Sequence, residues 1–308
     1  MRNKFADKIF ELGKKNKNIY LVAADISPAG SIEKFRKKYP SRFINVGVAE
    51  QSMIGICAGL AMQKKIAFGY TIAAFALYRP FEMIRDDLCI QNLPVTIVGM
   101  GAGTIYNNLG ATHMSQEDIS IAKSIPNMKI IAPADPIELG MAVNYCAKNK
   151  KGPIYLRIGK SGEKNLINYT KKKWNFGKIL KVFSGNDIAV ISYGPILEKA
   201  INIKNRLFKE RQVSISIYNC HTLKPIDKTG INKIIKKYKY IFILEDHSCI
   251  NGLYSDIIEL AYKIRAKTKI ISYSLKDEFI KSYGDRDIFL QKHGIDENKI
   301  YREIKKLI

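Results

Sequence analysis

The sequence predicts an α/β protein of two domains, each built on a parallel sheet covered by helices, and three observations carry that prediction. Apolar segments of strand length alternate with amphipathic segments of helix length along almost the whole chain. The alternation is broken once, by the lysine-, asparagine- and glycine-rich run Lys160–Lys178. A chain of 308 residues with 46% hydrophobic content can bury two cores of ordinary size.

The amino-terminal "MRNKFADKIFELGKK" reads as an amphipathic helix with charges throughout, unlike a secretory signal. The strand "NIYLVAAD" follows. A second strand-like segment then gives way at Glu50 to the Gly- and Ala-rich helix "QSMIGICAGLAMQ". The strands "KIAFGYT", "PVTIVGM", "MKIIAP" and "PIYLRIG" come next, with helical "FEMIRDDLCIQ" and "PIELGMAVNYCAKN" between them. These segments place a first domain at residues 1–165, and 166–185 reads as a linker. Beyond it, "DIAVISYG", "QVSISIYN", "YIFILED" and "TKIISYS" alternate with helices such as "PILEKAINIKNRLF", giving a smaller α/β domain over 186–308. No internal repeat interrupts either half.

Net charge is +23, with 22 basic against 12 acidic residues in Met1–Lys160 and 29 against 16 in the remainder. The excess is spread over the chain and favours anionic partners, although a lysine-rich proteome would give the same balance. The aromatic spacing of an RNA-binding sheet is missing, so nucleic acid is not the expected main partner. Cys57, Cys89, Cys146, Cys220 and Cys249 are scattered without a CxxC pair, which suggests reduced thiols in a cytoplasmic protein and gives no metal site. No apolar run reaches membrane-spanning length. "GMGAGT" lacks the last glycine of a dinucleotide fingerprint, Thr104 standing there, and no helix opens after it.

Glu50 has a structural explanation, because an acid in a first helical turn satisfies the dipole and the orphan amides. Its close-packing Gly/Ala helix also leaves the carboxyl poorly hydrated, a setting in which it can share a proton with a ligand nitrogen. Phe75 and Tyr78, three apart, share one helical face. His113 follows a glycine-rich loop after the strand "PVTIVGM", where α/β sheets bind ligands. Asp25 ends the first strand and could cap the next helix.

"INVGVAEQSMIGICAGLA" resembles the pyrimidine-binding segment of transketolases and their thiamine-diphosphate relatives. The resemblance continues through "TIAAFALYRPFEMIRDDLCIQNLPV", "GAGTIYNNLGATHMSQEDISIAKSIPNMKIIAPAD", "GPIYLRIGK", "TLKPID" and "EDHSCINGLYS", in order and over essentially the whole chain. It implies that 1–165 is a pyrimidine-binding domain and 186–308 a transketolase C-terminal domain serving mainly assembly. It implies further that Glu50 hydrogen-bonds the aminopyrimidine of thiamine diphosphate and favours the imino tautomer that activates the thiazolium carbon. Phe75 would stack on that ring, with Tyr78 in the same pocket and Asp25 near the cofactor.

By the same resemblance His113 matches a substrate histidine in "G-x-T-H", and Lys160 and Arg2 stand where relatives place phosphate-contacting arginines. Lysine supplies the charge but not the bidentate fork. Arg157 reads as structural, and His221 and His247 stay outside the catalytic set. Four positions depart from the family: Ile72 replaces an aromatic, Leu109 an aspartate, Ala29 a serine and Lys160 an arginine.

No GDG motif with a downstream asparagine is present, so the resemblance is to the C-terminal half of a split transketolase. A separate N-terminal transketolase subunit would bring the diphosphate and Mg²⁺ site, as two of each chain. The expected reaction transfers a two-carbon ketol unit from a ketose phosphate to an aldose or other aldehyde. Alternatives are a 2-oxo acid dehydrogenase β subunit, a deoxyxylulose-phosphate-synthase-like carboligase, and a non-catalytic protein binding an acidic partner or nucleic acid on the same fold.

Overall fold

A computed structural model describes residues 1–26, 31–281 and 283–308, Ser31 through its main chain only. The departure at Ala29 lies outside the described residues. The first half runs α1 (Arg2–Lys15), β1 (Ile19–Ala23), α2 (Ser31–Lys38), β2 (Phe43–Asn45), α3 (Glu50–Met62), β3 (Ile66–Ile72) and α4 (Ala73–Leu77). The single turn α5 (Phe81–Met83) then continues as a π-helix over Ile84–Ile90. β4 (Thr96–Met100), α6 (Asp118–Ser124), β5 (Lys129–Ile131), α7 (Pro136–Cys146) and β6 (Ile154–Ile158) complete it.

β1 to β6 are all parallel, in the order β5-β6-β4-β3-β1-β2. β4 and β6 are buried along their full length, which is why they read as unbroken apolar runs and not as alternations. Side-chain alternation separates two cores. Leu21, Phe68, Val98 and Leu156 pack under α1, α2 and α7 with Phe5, Phe35 and Leu139. Val22, Ala67 and Ile97 meet Met53, Ile54 and Cys57 of α3 on the other face. Each such large side chain contributes roughly 1.5–3 kcal/mol of burial.

The second half comprises β7 (Leu180–Phe183), β8 (Asn186–Ser192), α8 (Leu197–Arg211), β9 (Ile215–Asn219), β10 (Thr222–Lys224), α9 (Lys228–Lys237), β11 (Tyr240–Ser248), α10 (Leu253–Lys263), β12 (Lys269–Leu275), α11 (Arg286–Lys292) and α12 (Glu297–Lys306). Its sheet has the order β12-β11-β8-β9-β7, parallel except for β7. The two-domain α/β expectation therefore agrees with the structure.

Two connections depart from the boundaries expected of the sequence. β10 leaves the second half and pairs antiparallel with β5, Thr222 opposite Ile131, so it extends the first sheet. The apolar core under α3 likewise continues into Ile191 and Ile243 of the second half. The segment 166–185, expected as a linker, is pinned: Leu166 and Ile167 donate their N–H groups to Asp135 Oδ2, at 3.0 and 3.1 Å, and Phe176 stacks on Tyr145. It ends in β7. A few apolar side chains among many lysines decide its path, and composition hides them. No helix among the described residues is long and apolar enough to cross a membrane.

Candidate active site

The site residues expected from the sequence collect at the carboxyl ends of the parallel strands. Asp25 follows β1, Glu50 follows β2, Phe75 and Tyr78 follow β3, His113 lies in the loop after β4, and Lys160 follows β6. That edge is where an open parallel sheet leaves its crevice.

Glu50 is the first residue of α3 and is buried, 3% exposed. Gly47 precedes it with φ +69°, a left-handed conformation that glycine adopts without strain, and turns the chain into the helix. Asn45 Oδ1 accepts N–H bonds from Asp25 at 3.3 Å and Gly47 at 3.1 Å, so one side chain ties the ends of β1 and β2 together. Asp25 itself is exposed, with φ +40°.

Arg79 meets Glu50. Its Nη1 donates to both carboxylate oxygens, at 2.9 and 3.1 Å, and its guanidinium lies 4.3 Å from the centroid of the Phe75 ring. Phe75 also meets His113, ring centroids 5.2 Å apart in a T-shaped arrangement with the planes at 68°. The His113 ring in turn lies 6.4 Å from Tyr106, over which Lys160 Nζ sits at 4.6 Å. The Lys160 carbonyl accepts the Arg2 N–H at 2.9 Å, and the Arg2 charge reaches Tyr106, where it opposes the upward push of burial on the phenol. One continuous line of side chains thus runs from a buried acid, across aromatic rings and an imidazole, to two cations.

The loop carrying His113 closes on itself: Gly103 N–H donates to Ser115 Oγ at 2.9 Å and Ser115 N–H to the Gly103 carbonyl at 3.0 Å. His113 sits in its last turn, half-buried, with Nδ1 3.0 Å from Thr112 Oγ1. Leu109, at 43% exposure, lies near the loop's tip.

Tyr78 turns toward other partners. Its hydroxyl donates to Glu117 Oε2 at 2.8 Å, and burial, with the charges of Asp118 and Glu117, pushes the phenol far above its ordinary range. Arg157 is buried in an ion pair with Asp118, 2.8 Å, and Asp118 also accepts from Tyr155 at 2.7 Å. His221 stacks on Trp174, and burial pulls it down to about 4. His247 is likewise pulled to about 4 by burial, held between Ser120 and the Ser248 carbonyl. Among the described residues no three His, Cys, Asp or Glu side chains gather as metal ligands.

Two members of the line were not found from the sequence. Arg79 had a weak signal, a cation four residues after Phe75, although it lies in the turn beyond α4 and not on the helix itself. Tyr106 had none, because only the loop's path brings it between His113 and Lys160.

The residues fit a flat nitrogen heterocycle. A planar N–H donor, the Arg79 guanidinium, already rests on Phe75 and against the Glu50 carboxylate, the two contacts such a ring would use.

Comparison with known proteins agrees with this architecture. The family model for the transketolase pyrimidine binding domain matches residues 1–163, and that for the transketolase C-terminal domain matches 177–300. The chain belongs to the transketolase family. A transketolase C-terminal section of Methanocaldococcus jannaschii is 35% identical, covering 99% of this chain and 95% of that protein. An apulose-4-phosphate transketolase subunit of Actinobacillus succinogenes is 29% identical, covering 97% and 96%. The chain therefore carries the pyrimidine binding and C-terminal domains along nearly the whole length of those two relatives. A 1-deoxy-D-xylulose-5-phosphate synthase of Clostridium tetani is 32% identical over 99% of this chain, which spans only 48% of that enzyme. Among solved structures, a split gene transketolase described as an inactive beta4 tetramer has a TM-score of 0.86 at 28% identity, with 99% and 96% coverage.

Proposed function

We propose that this chain is the C-terminal subunit of a two-chain transketolase dependent on thiamine diphosphate and Mg²⁺, transferring a two-carbon ketol unit from a ketose phosphate to an aldose or other aldehyde acceptor. The observation that carries the reading is the succession Glu50, Phe75 and His113 at the strand ends, with Lys160 and Arg2 beyond. When bound, the cofactor supplies a nucleophilic thiazolium carbon and an electron sink. Glu50 holds the proton exchanged with a pyrimidine ring nitrogen, and burial keeps water from competing for it. Phe75 offers its ring for stacking. The Tyr78 ring forms part of the wall although its hydroxyl is turned to Glu117, and Asp25 stands at the cofactor's edge.

His113 hydrogen-bonds substrate hydroxyl or carbonyl oxygens and carries a proton between them. Lys160 and Arg2 neutralise the substrate phosphate. A separate N-terminal transketolase subunit, with a GDG motif and a downstream asparagine, holds Mg²⁺ and diphosphate, and the assembly contains two of each chain. The free cysteines, four of them buried, suit a cytoplasmic protein.

The test is reconstitution with the N-terminal subunit. Cofactor binding and ketol transfer are expected only in the complex and are expected to be lost in Glu50→Ala. Turnover by the chain alone, or turnover unaffected by Glu50→Ala, refutes the reading. The similarity to deoxyxylulose-phosphate synthases supports a second reading, a carboligase using a 2-oxo acid donor. CO₂ release from such a donor by the complex distinguishes it.

A further inference from the structure

The loop bearing His113 is held from outside its own domain. Arg286, the first residue of α11, pairs through Nη2 with Asp246 Oδ2 at 2.6 Å, and its Nε donates to Thr104 Oγ1 at 3.1 Å. Thr104 N–H closes the triangle on the Asp246 carboxylate at 3.2 Å. The Asp246 carboxyl is buried, which by itself would raise its pKa, yet the Arg286 and Arg157 charges hold it below the usual range.

Further along the same loop, the Asn107 side-chain amide donates to the Gly284 carbonyl. Met114, the residue after His113, packs with Ile280 and Phe289 in a separate apolar cluster. Two loop glycines mark where the contact is tightest. At Gly103, φ +69°, a Cβ would lie 2.6 Å from Asp246 Oδ2, and at Gly110, φ +82°, it would lie 2.6 Å from the Tyr283 ring. Only glycine allows both the left-handed turn and that approach.

We propose that the C-terminal domain sets the position of His113, with Arg286 as a positioning residue for the substrate side of the active site. The inference rests on the role proposed for His113 and adds a function for a domain expected to serve mainly assembly. The two halves of the site touch where Phe75 meets His113 but have different supports. Glu50 and Phe75 are held by α3 and α4, with Arg79 in the turn after α4, whereas the His113 loop is anchored through Thr104, Asn107, Gly110 and Met114 to residues at and before α11. Arg286 therefore bears mainly on substrate geometry, through the His113 loop, while Glu50 and Phe75 keep supports of their own. Its side chain is 28% exposed, and on its removal the buried Asp246 carboxylate keeps the Thr104 N–H and the Arg157 charge.

The test compares the full chain with Arg286→Ala, Arg286→Lys and Thr104→Val. Amide hydrogen exchange over residues 104–113 of the free chain is expected to quicken about tenfold in Arg286→Ala, the loss of one charge-assisted contact, and to return most of the way in Arg286→Lys, which keeps the pair with Asp246. Thr104→Val removes only the Nε contact and is expected to fall between wild type and Arg286→Ala. In the complex with the N-terminal subunit, Arg286→Ala should lower kcat/KM for the ketose phosphate by about tenfold while the cofactor Kd stays within about twofold. Unchanged exchange in 104–113, or exchange rising equally across α3 and β3, overturns the inference. A loss of cofactor affinity matching the loss of kcat/KM does the same. The exchange result stands apart from the proposed function, which fails by its own sign, turnover surviving Glu50→Ala.

Discussion

Glu138, in the first turn of α7, is wholly buried at the junction between the two halves. Its Oε2 accepts the Ala134 N–H at 2.6 Å, and both oxygens accept from the Asn219 side-chain amide of β9, at 2.9 and 3.0 Å. Burial raises the carboxyl from 4.5 to about 7; the Ala134 and Asn219 bonds oppose the rise and the Asp135 charge adds to it. In the unfolded chain the group titrates at its ordinary value. Between pH 4.5 and about 7 the folded state therefore keeps a proton that the unfolded state has released, and stability falls as pH rises. The contribution is fully present below 4.5 and is lost through about pH 7; the shift corresponds to about 3 kcal/mol.

Glu138→Gln removes the titration while keeping an acceptor for the Ala134 N–H. Asn219 Oδ1 is buried without a partner, so a turned Asn219 amide can accept from the N–H of the introduced side-chain amide. Urea unfolding from pH 5 to 9 is the assay. The variant should gain on wild type as pH rises, by about 3 kcal/mol across the window. Parallel stability curves for the two proteins would refute the reasoning, because they would mean that the buried carboxyl titrates alike folded and unfolded.

Three further outcomes concern the site. Arg79→Ala frees the Glu50 carboxylate and the Phe75 face together, so thiamine diphosphate should bind the complex about tenfold more tightly, measured by titration. Phe75→Ala should weaken cofactor binding by about 1 kcal/mol or more, read by titration of the complex. Replacing Lys160 by alanine should raise KM for a phosphorylated substrate while sparing an unphosphorylated sugar, and the same KM increase for both would remove the phosphate role.

The alternation of apolar and helical segments was enough to determine the two-domain α/β class, because strands buried on both faces have to be apolar throughout. The placement of Glu50, Phe75 and Lys160 at strand ends was legible for the same reason, each standing shortly past an apolar run, and His113 follows the glycine-rich loop that leaves another. The sequence could not tell that β10 crosses to the first sheet, since three residues beside a proline carry no period. Nor could it tell that 166–185 is pinned by Ile167, Trp174 and Phe176, or that Tyr78 turns to Glu117. The pairing of Glu50 with Arg79 and of Asp246 with Arg286 joins residues 29 and 40 positions apart. Local periodicity records which side chains face inward within one element. Which of them meet across elements is set by how those elements pack, and only the tertiary structure decided that.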